Sequence, residues 1–259
     1  MSTENRVAVV TGAAKGIGRG IALALARARI QTVAADMDEA ALRLLAIEDD
    51  EAGAFLTARK LDITEPHAID GFFRAIDEEF GPPEILVNCA GVTRKIDFFD
   101  LTDGDIDWIN AVNIRGTMLM MQAGARIMRT RGKGCIINIS SIAGKGFRET
   151  TNMAYAASKG AIVIMSRIAA AKLGEFGITV NSICPGMTET EMMRDWMEKT
   201  AAARGSSLDE TRRNLVSGVP LQRTNTVDDI AGAVLFLISP AARNITGQSI
   251  NIDGGLMWD

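Results

Sequence analysis

The single tyrosine of the chain, Tyr155, stands four residues before Lys159 in "MAYAASKGAI" (153–162). On a helix, residues i and i+4 share a face, so this phenol and ammonium address one point. A phenol becomes a useful base once its pKa falls from about 10 toward 7, a change of about 4 kcal/mol that nearby cations can supply. Ala154, Ala156, Ala157, Gly160 and Ala161 surround the pair, and small residues in a mid-helix setting let a flat ring approach. Upstream, "INISSIAG" closes an apolar run with the hydroxyls of Ser140 and Ser141. The only histidine, His67, falls in the first turn of another helix and reads as a solvated surface residue. The sequence holds no metal-ligand cluster, so the chemistry on offer is proton transfer.

A second stretch, "VAVVTGAAKGIGRGIALAL", joins an apolar run to an amphipathic helix through Gly12, Gly16 and Gly18. Glycines at such a turn let the backbone approach a pyrophosphate, whose charge is favoured at a helix N-terminus. The next apolar run ends in "VAAD", placing Asp36 where a carboxylate accepts hydrogen bonds from the adenosine ribose. That carboxylate repels a 2′-phosphate, so the expected cofactor is NAD rather than NADP. Met37 adds no compensating base, and Lys15 is expected to be a solvated charge.

Unbroken β-branched runs alternate with helical periods along the whole chain. Strands are expected at 6–10, 31–35, 58–62, 85–88, 135–140, 179–184 and 249–252. One helix carries Ile17, Ile21 and Leu25 on a face; another opens at Pro66 and buries Ile69, Phe72, Phe73, Ile76 and Phe80. Such alternation implies an α/β fold: one doubly wound Rossmann domain, with a seven-stranded parallel sheet and helices on both faces. The domain is expected to span 1–259. A polar helical excursion at 188–219, hinged at Gly205 to Ser207, reads as a substrate-side lid.

Composition narrows the partners. A net charge of −4 without a basic tract excludes nucleic acid and anionic membrane as expected partners. Three scattered cysteines, Cys89, Cys135 and Cys184, form no disulfide or zinc pattern and read as buried small hydrophobes in a reducing compartment. With no leader or membrane span read at the start of the sequence, the expectation is a cytoplasmic protein.

In order and spacing, "TGAAKGIG" (11–18), "LDIT" (61–64), "NCAG" (88–91), "NIRG" (113–116), "SS" (140–141), "YAASK" (155–159), "PGMTET" (185–190) and "ITGQSINIDGG" (245–255) resemble the short-chain dehydrogenase/reductase family from end to end. The resemblance implies an oxidoreductase that interconverts a secondary alcohol and its ketone with a nicotinamide cofactor. It implies that Tyr155 is the acid/base and that Lys159 lowers its pKa and binds the nicotinamide ribose. Ser141 would hold the substrate oxygen, Ser140 would stay structural, and Asn113 would hold a water relaying protons from Lys159. Besides Tyr155 and Lys159, the cofactor would meet Gly12, Lys15, Gly16, Ile17, Gly18, Asp36 and Met37. It would also meet Asp62, Ile63, Asn88, Ala90 and Gly91, then Pro185, Gly186, Thr188 and Thr190. Cys89 replaces the family's second Asn in "NNAG", a change expected to touch sheet hydrogen bonding more than chemistry, and the Thr188 hydroxyl is expected to add a contact to the carboxamide.

The substrate wall is expected to include Thr93, Arg94, Ser141, Arg148 and Asn152, whose polarity points to a small polar substrate such as a sugar, sugar alcohol or vicinal diol. Arg94 or Arg148 could alternatively hold an anionic group. A 3-oxoacyl-(acyl carrier protein) reductase is the alternative enzyme, and a non-catalytic dinucleotide-sensing protein the alternative of another class. The resemblance also implies a homotetramer, with the apolar Leu256, Met257 and Trp258 packed against a neighbouring subunit.

Overall fold

Strand residues that are apolar at consecutive positions need cover on both faces, and the computed structural model supplies it. It describes residues 6–47 and 50–258. The opening residues 1–5, read above as lacking a leader, and Asp259 lie outside the described residues. Seven parallel strands form one sheet: β1 (Val7–Thr11), β2 (Gln31–Asp36), β3 (Leu56–Lys60), β4 (Ile85–Asn88), β5 (Gly134–Ile139), β6 (Ile178–Pro185) and β7 (Ser249–Ile252). Their order is β3-β2-β1-β4-β5-β6-β7. The helices are α1 (Gly16–Arg27), α2 (Glu39–Ile47), α3 (Asp50–Gly53), α4 (Pro66–Phe80), α5 (Asp103–Asn110), α6 (Thr117–Arg131), α7 (Met153–Leu173), α8 (Glu191–Arg204), α9 (Leu208–Val216) and α10 (Val227–Leu237).

Alternate residues of each strand feed opposite cores. Ala8, Val10, Ile137 and Ile183 pack with Ile21 and Leu25 of α1 and Ile230 and Val234 of α10. Val7, Val9, Ile136 and Val180 pack with Ile69, Phe72 and Phe73 of α4 and Met120 and Met128 of α6. This two-sided burial explains why period-2 alternation is missing from the strand sequences.

The expected strands are all present, and β4 and β7 have the expected bounds. β3 differs most: it runs Leu56–Lys60, not 58–62. The chain leaves the sheet early because the Asp62 carboxylate accepts from both the backbone N–H and the hydroxyl of Thr64, forming a side-chain-stabilised turn. The excursion divides into α8 and α9, with its break at Gly205. The arm is fastened at its base: Glu189 accepts from the Thr224 hydroxyl (2.6 Å) and pairs with Arg212 of α9 (2.8 Å).

The ending also differs from expectation. Leu256 and Met257 fold back onto Ile142, Val163 and Cys184 of the same chain, leaving Trp258, 87% exposed, as the apolar residue presented to solvent. Backbone ties make this possible: the Asp253 carboxylate accepts from the N–H groups of Gly255 and Met257.

Strand order reverses direction between β1 and β4, which opens a crevice at their carboxyl ends. There Gly12 adopts φ 66°, and a Cβ on it would lie 2.7 Å from Ala90 Cα. At the other side of the crevice Gly144 lies against α7, where a Cβ would fall 2.5 Å from the Lys159 carbonyl carbon and 2.6 Å from Gly160 N. Backbone cannot yield as a flexible side chain can. Gly144→Ala should therefore lower unfolding free energy by about 1–3 kcal/mol in urea titrations. Gly71→Ala, on the exposed face of α4 and with nothing within 4 Å of the added methyl, should raise it by about 0.5–1 kcal/mol.

Candidate active site

The local sequence "TNMAY" starts α7 where the chemistry requires it. Asn152 is extended and caps the helix, its Oδ1 accepting from Tyr155 N (2.7 Å). Tyr155 is thus the third residue of α7, in its first turn rather than mid-helix. One turn on, the Lys159 side chain passes beneath it into the protein; the residue is 4% exposed and its Nζ donates to Ile139 O at the end of β5 (2.9 Å). Nζ lies 5.7 Å from the tyrosine ring centroid. Ser140 and Ser141 follow β5 directly and face different ways. The Ser140 hydroxyl donates to Lys159 O (2.7 Å), which pins β5 to α7. The Ser141 hydroxyl accepts from Ala143 N (3.1 Å) and lies on the Tyr155 side of the cavity, where it favours the ionised phenol.

Asn113 lies in a π-helical turn, Ala111–Gly116, inserted between α5 and α6. Its buried amide is firmly anchored: Oδ1 accepts from Val92 N (2.8 Å), and Nδ2 donates to Val92 O (3.0 Å) and to the Ser158 hydroxyl (3.0 Å). A π-turn within a helix is a common device for aiming a polar group at a site.

Burial dominates the electrostatics. It pushes the Lys159 ammonium down to about 8, because the charged form is poorly solvated there. It also pushes the Tyr155 phenol above its ordinary value, opposed by the Ser141 hydroxyl. Without the cofactor, burial is thus the largest influence on the phenol and favours its neutral form. Burial likewise raises the Cys89 thiol to about 12, so this partly exposed cysteine borders the crevice as an uncharged group. Cys135 and Cys184 are buried, as their apolar settings predict.

These groups open onto a cavity of about 700 Å³, within the range of cofactor and small-molecule sites. Gly12, Lys15, Gly16, Ile17 and Gly18 line it, as do Asp36, Met37, Asp62, Ile63, Ala90 and Gly91. Ser141, Tyr155, Lys159, Pro185, Gly186, Thr188 and Thr190 complete the expected set. Asn88 is a correction: it is buried below the cavity, its Nδ2 donating to Asn138 Oδ1 (2.8 Å), with Asn138 bonded in turn to Ser166 of α7. A residue at the end of a strand on the switch point can point into the sheet's interior as readily as out of it. Lys15 is a second correction. It is exposed, yet its ammonium is paired with Asp38 at 2.8 Å. The Thr188 hydroxyl donates to Gly186 O (3.2 Å), leaving its oxygen to accept.

On the expected substrate wall the structure keeps Thr93, beside the cavity and hydrogen-bonded to Thr151 (2.6 Å). Arg94 is drawn away by an ion pair with Asp105, the buried carboxylate of the α5 capping box. Asn152 is the α7 cap, its Nδ2 also donating to Arg94 O (2.8 Å). Arg148 is exposed outside the cavity lining. The expectations for these three followed polarity, which does not separate a ligand contact from a cap or a loop strut. Sequence reading missed Trp108 and Val112, cavity-lining residues one helical turn apart just ahead of Asn113, and also missed Asp38 and Glu191. The "DMD" run at 36–38 was the available signal for Asp38.

The family model described as enoyl-(acyl carrier protein) reductase matches residues 12–257. The chain belongs to the short-chain dehydrogenase/reductase family. As a member, it is an oxidoreductase acting between alcohol and carbonyl groups. Galactitol 2-dehydrogenase of Agrobacterium fabrum is 36% identical over 256 residues, covering 98% of both chains. The (3R)-3-hydroxyacyl-CoA dehydrogenase of Rattus norvegicus is 36% identical over 263 residues, covering 98% of this chain and 96% of its own. A solved variant of actinorhodin polyketide ketoreductase with NADPH is similar at a TM-score of 0.90 and 32% identity, covering 99% of each chain. The residues here fit the dinucleotide that the family uses. Gly16, Ile17 and Gly18 put the N-terminus of α1 on the cavity wall, and the cavity runs unbroken from Asp36 to Tyr155. Among the described residues, no helix is long and apolar enough to cross a membrane.

The buried ammonium has a stability consequence. The unfolded chain holds the lysine proton to a pH near 10.5, whereas the folded state releases it near 8. Between these values the unfolded state binds more protons, so native stability rises as pH rises from about 8 to 10.5 and the burden is full below 8. Lys159→Met should thus stabilise the cofactor-free protein by about 1–3 kcal/mol at pH 7, with the advantage shrinking above pH 8. Chemical denaturation of both proteins across pH 6–10 measures this.

Proposed function

We propose that the protein is an NAD(H)-dependent dehydrogenase/reductase interconverting a small polar secondary alcohol, such as a sugar, sugar alcohol or vicinal diol, and its ketone. The observation that carries this is the convergence of the hydroxyl residues Ser141 and Tyr155 on one cavity, with the Lys159 ammonium anchored behind them. The bound nicotinamide accepts or donates the hydride. Ser141 holds the substrate oxygen, and Tyr155 exchanges its proton. In the reducing direction the neutral phenol favoured by burial is already the proton donor. In the oxidising direction the phenol must lose its proton, which positive charge in the closed cleft, Lys159 included, favours. Asn113, anchored through its amide to Val92 and Ser158, is proposed to hold a relay water to Lys159.

NAD is proposed over NADP on the strength of Asp36 at the end of β2, whose carboxylate would face a 2′-phosphate. The solved relative with NADPH makes the comparison a pointed one. The polar substrate is supported by the similarity to galactitol 2-dehydrogenase and by the ties that hold Arg94 and Lys15, which leave these two bases committed within the protein. A second reading, a 3-oxoacyl or 3-hydroxyacyl thioester, is favoured by the equally similar hydroxyacyl-CoA dehydrogenase. The arm of α8 and α9 is proposed as the lid over the substrate. We also propose a homotetramer, since α7 exposes Ile164 and Ile168 and α10 exposes Phe236.

Steady-state rates with polyols, hydroxy acids and 3-oxoacyl thioesters, each with NAD(H) and NADP(H), test the assignment. Polyol turnover with NAD is expected; activity confined to thioesters would replace it with the second reading. Tyr155→Phe should retain NADH binding by calorimetry while kcat falls by about 10²–10⁴-fold. Loss of both together would remove Tyr155 as the acid/base, and undiminished turnover would exclude a non-structural role for it altogether.

A further inference from the structure

Among the described residues lining the cavity, Lys15 and Lys159 are the cations, against four carboxylates: Asp36, Asp38, Asp62 and Glu191. Lys159 is committed beneath Tyr155, so Lys15 is the cation at the glycine-turn end of the site. A lysine in that turn would ordinarily help a cofactor that carries a 2′-phosphate. Here its Nζ is held by Asp38 Oδ2 at 2.8 Å.

Two observations set this pair apart from an incidental surface contact. First, the Asp38 carboxylate is fixed by its other oxygen: Oδ1 accepts from Ala41 N (3.1 Å) at the start of α2. Second, its backbone is tied to the ribose-side carboxylate. Asp38 N donates to Asp36 Oδ1 (3.0 Å), and Asp36 Oδ2 accepts from Ala14 N (3.0 Å), the residue next to Lys15. The chain of contacts from Lys15 through Asp38 and Asp36 to Ala14 closes on itself. Prior fixation of one partner reduces the ordering cost that makes most exposed ion pairs weak.

We propose that Asp38 is a positioning residue for cofactor choice: by holding Lys15 it withholds the turn's cation from a 2′-phosphate, so that Asp36 discriminates against NADP unopposed. This rests on the NAD reading given above. Hydrogen bonding and charge move both partners in the matching sense, the Lys15 ammonium upward and the Asp38 carboxyl downward.

Four proteins test it: wild type, Asp38→Asn, Lys15→Met and the double variant. Asparagine keeps an oxygen for the Ala41 N–H, so α2 stays capped, and thermal unfolding checks that each variant is folded. Dissociation constants for NADH and NADPH are measured by titration calorimetry at low and high salt. Asp38→Asn should lower the NADPH/NADH ratio of dissociation constants by about five- to tenfold at low salt and by less at high salt. Lys15→Met should change that ratio by less than about twofold, and in the double variant the gain should vanish. Nitrogen NMR of the Lys15 ammonium should show its titration moving downward in Asp38→Asn, which loss of a helix cap alone would not produce. An equal gain in the double variant would overturn the proposal, since Asp38 would then act by its own repulsion. No gain in the single variant, or a severalfold weaker NADPH affinity in Lys15→Met, would overturn it too. A wild type that prefers NADPH would sink the NAD reading alone, because the coupling between Asp38 and Lys15 is read from the cycle of four whichever cofactor binds better.

Discussion

Keeping a lysine ammonium out of water behind a phenol organises the rest of this molecule. A buried cation is costly, and Lys159 donates to the Ile139 carbonyl at the end of β5. That contact forms only if α7 lies close against the sheet edge. Gly144 and Gly160 provide the closeness, with bare backbone on each side of the approach. Ser140 then clamps it by donating to the Lys159 carbonyl, and Asn138 bonds Ser166 about two turns further along α7. The residues flanking the chemistry are thus largely the means by which one helix is held against one strand end.

The same proximity sets the pKa pattern. Closing the space lowers the lysine and raises the tyrosine, both toward their neutral forms. Neutral groups are what a site without its cofactor can best tolerate. Charge brought by an oxidised nicotinamide alters that balance, so the working ionisation belongs to the complex rather than to the chain alone. The opposite rim is organised by charge rather than by burial. Asp36 and Asp38 are fixed through backbone N–H groups, and the exposed Lys15 is paired with Asp38.

Much of this was legible in the sequence because it is local. The βα alternation follows from strings of β-branched residues and helical periods, and two-sided burial explains why those strings are unbroken. The glycine turn, Asp36, the serine pair and the Tyr155–Lys159 spacing are all short-range patterns, and the structure gathers them around one cavity. Misreadings came where one residue type serves two purposes. Arg94, Asn152 and Asn88 have the polarity of ligand contacts, but their partners are Asp105, the start of α7 and Asn138. Those partners lie as many as 50 residues away in sequence.

The sequence by itself determined the strand and helix order, the glycine turn and the pairing of Tyr155 with Lys159, since each is written in spacings shorter than two helical turns. Tertiary structure alone decided whether Lys15 is free or paired, and that Leu256 and Met257 fold home rather than outward. It also decided the ionisation of the pair that opened the reading. Desolvation depends on everything packed around a group, and no spacing within one helix encodes it.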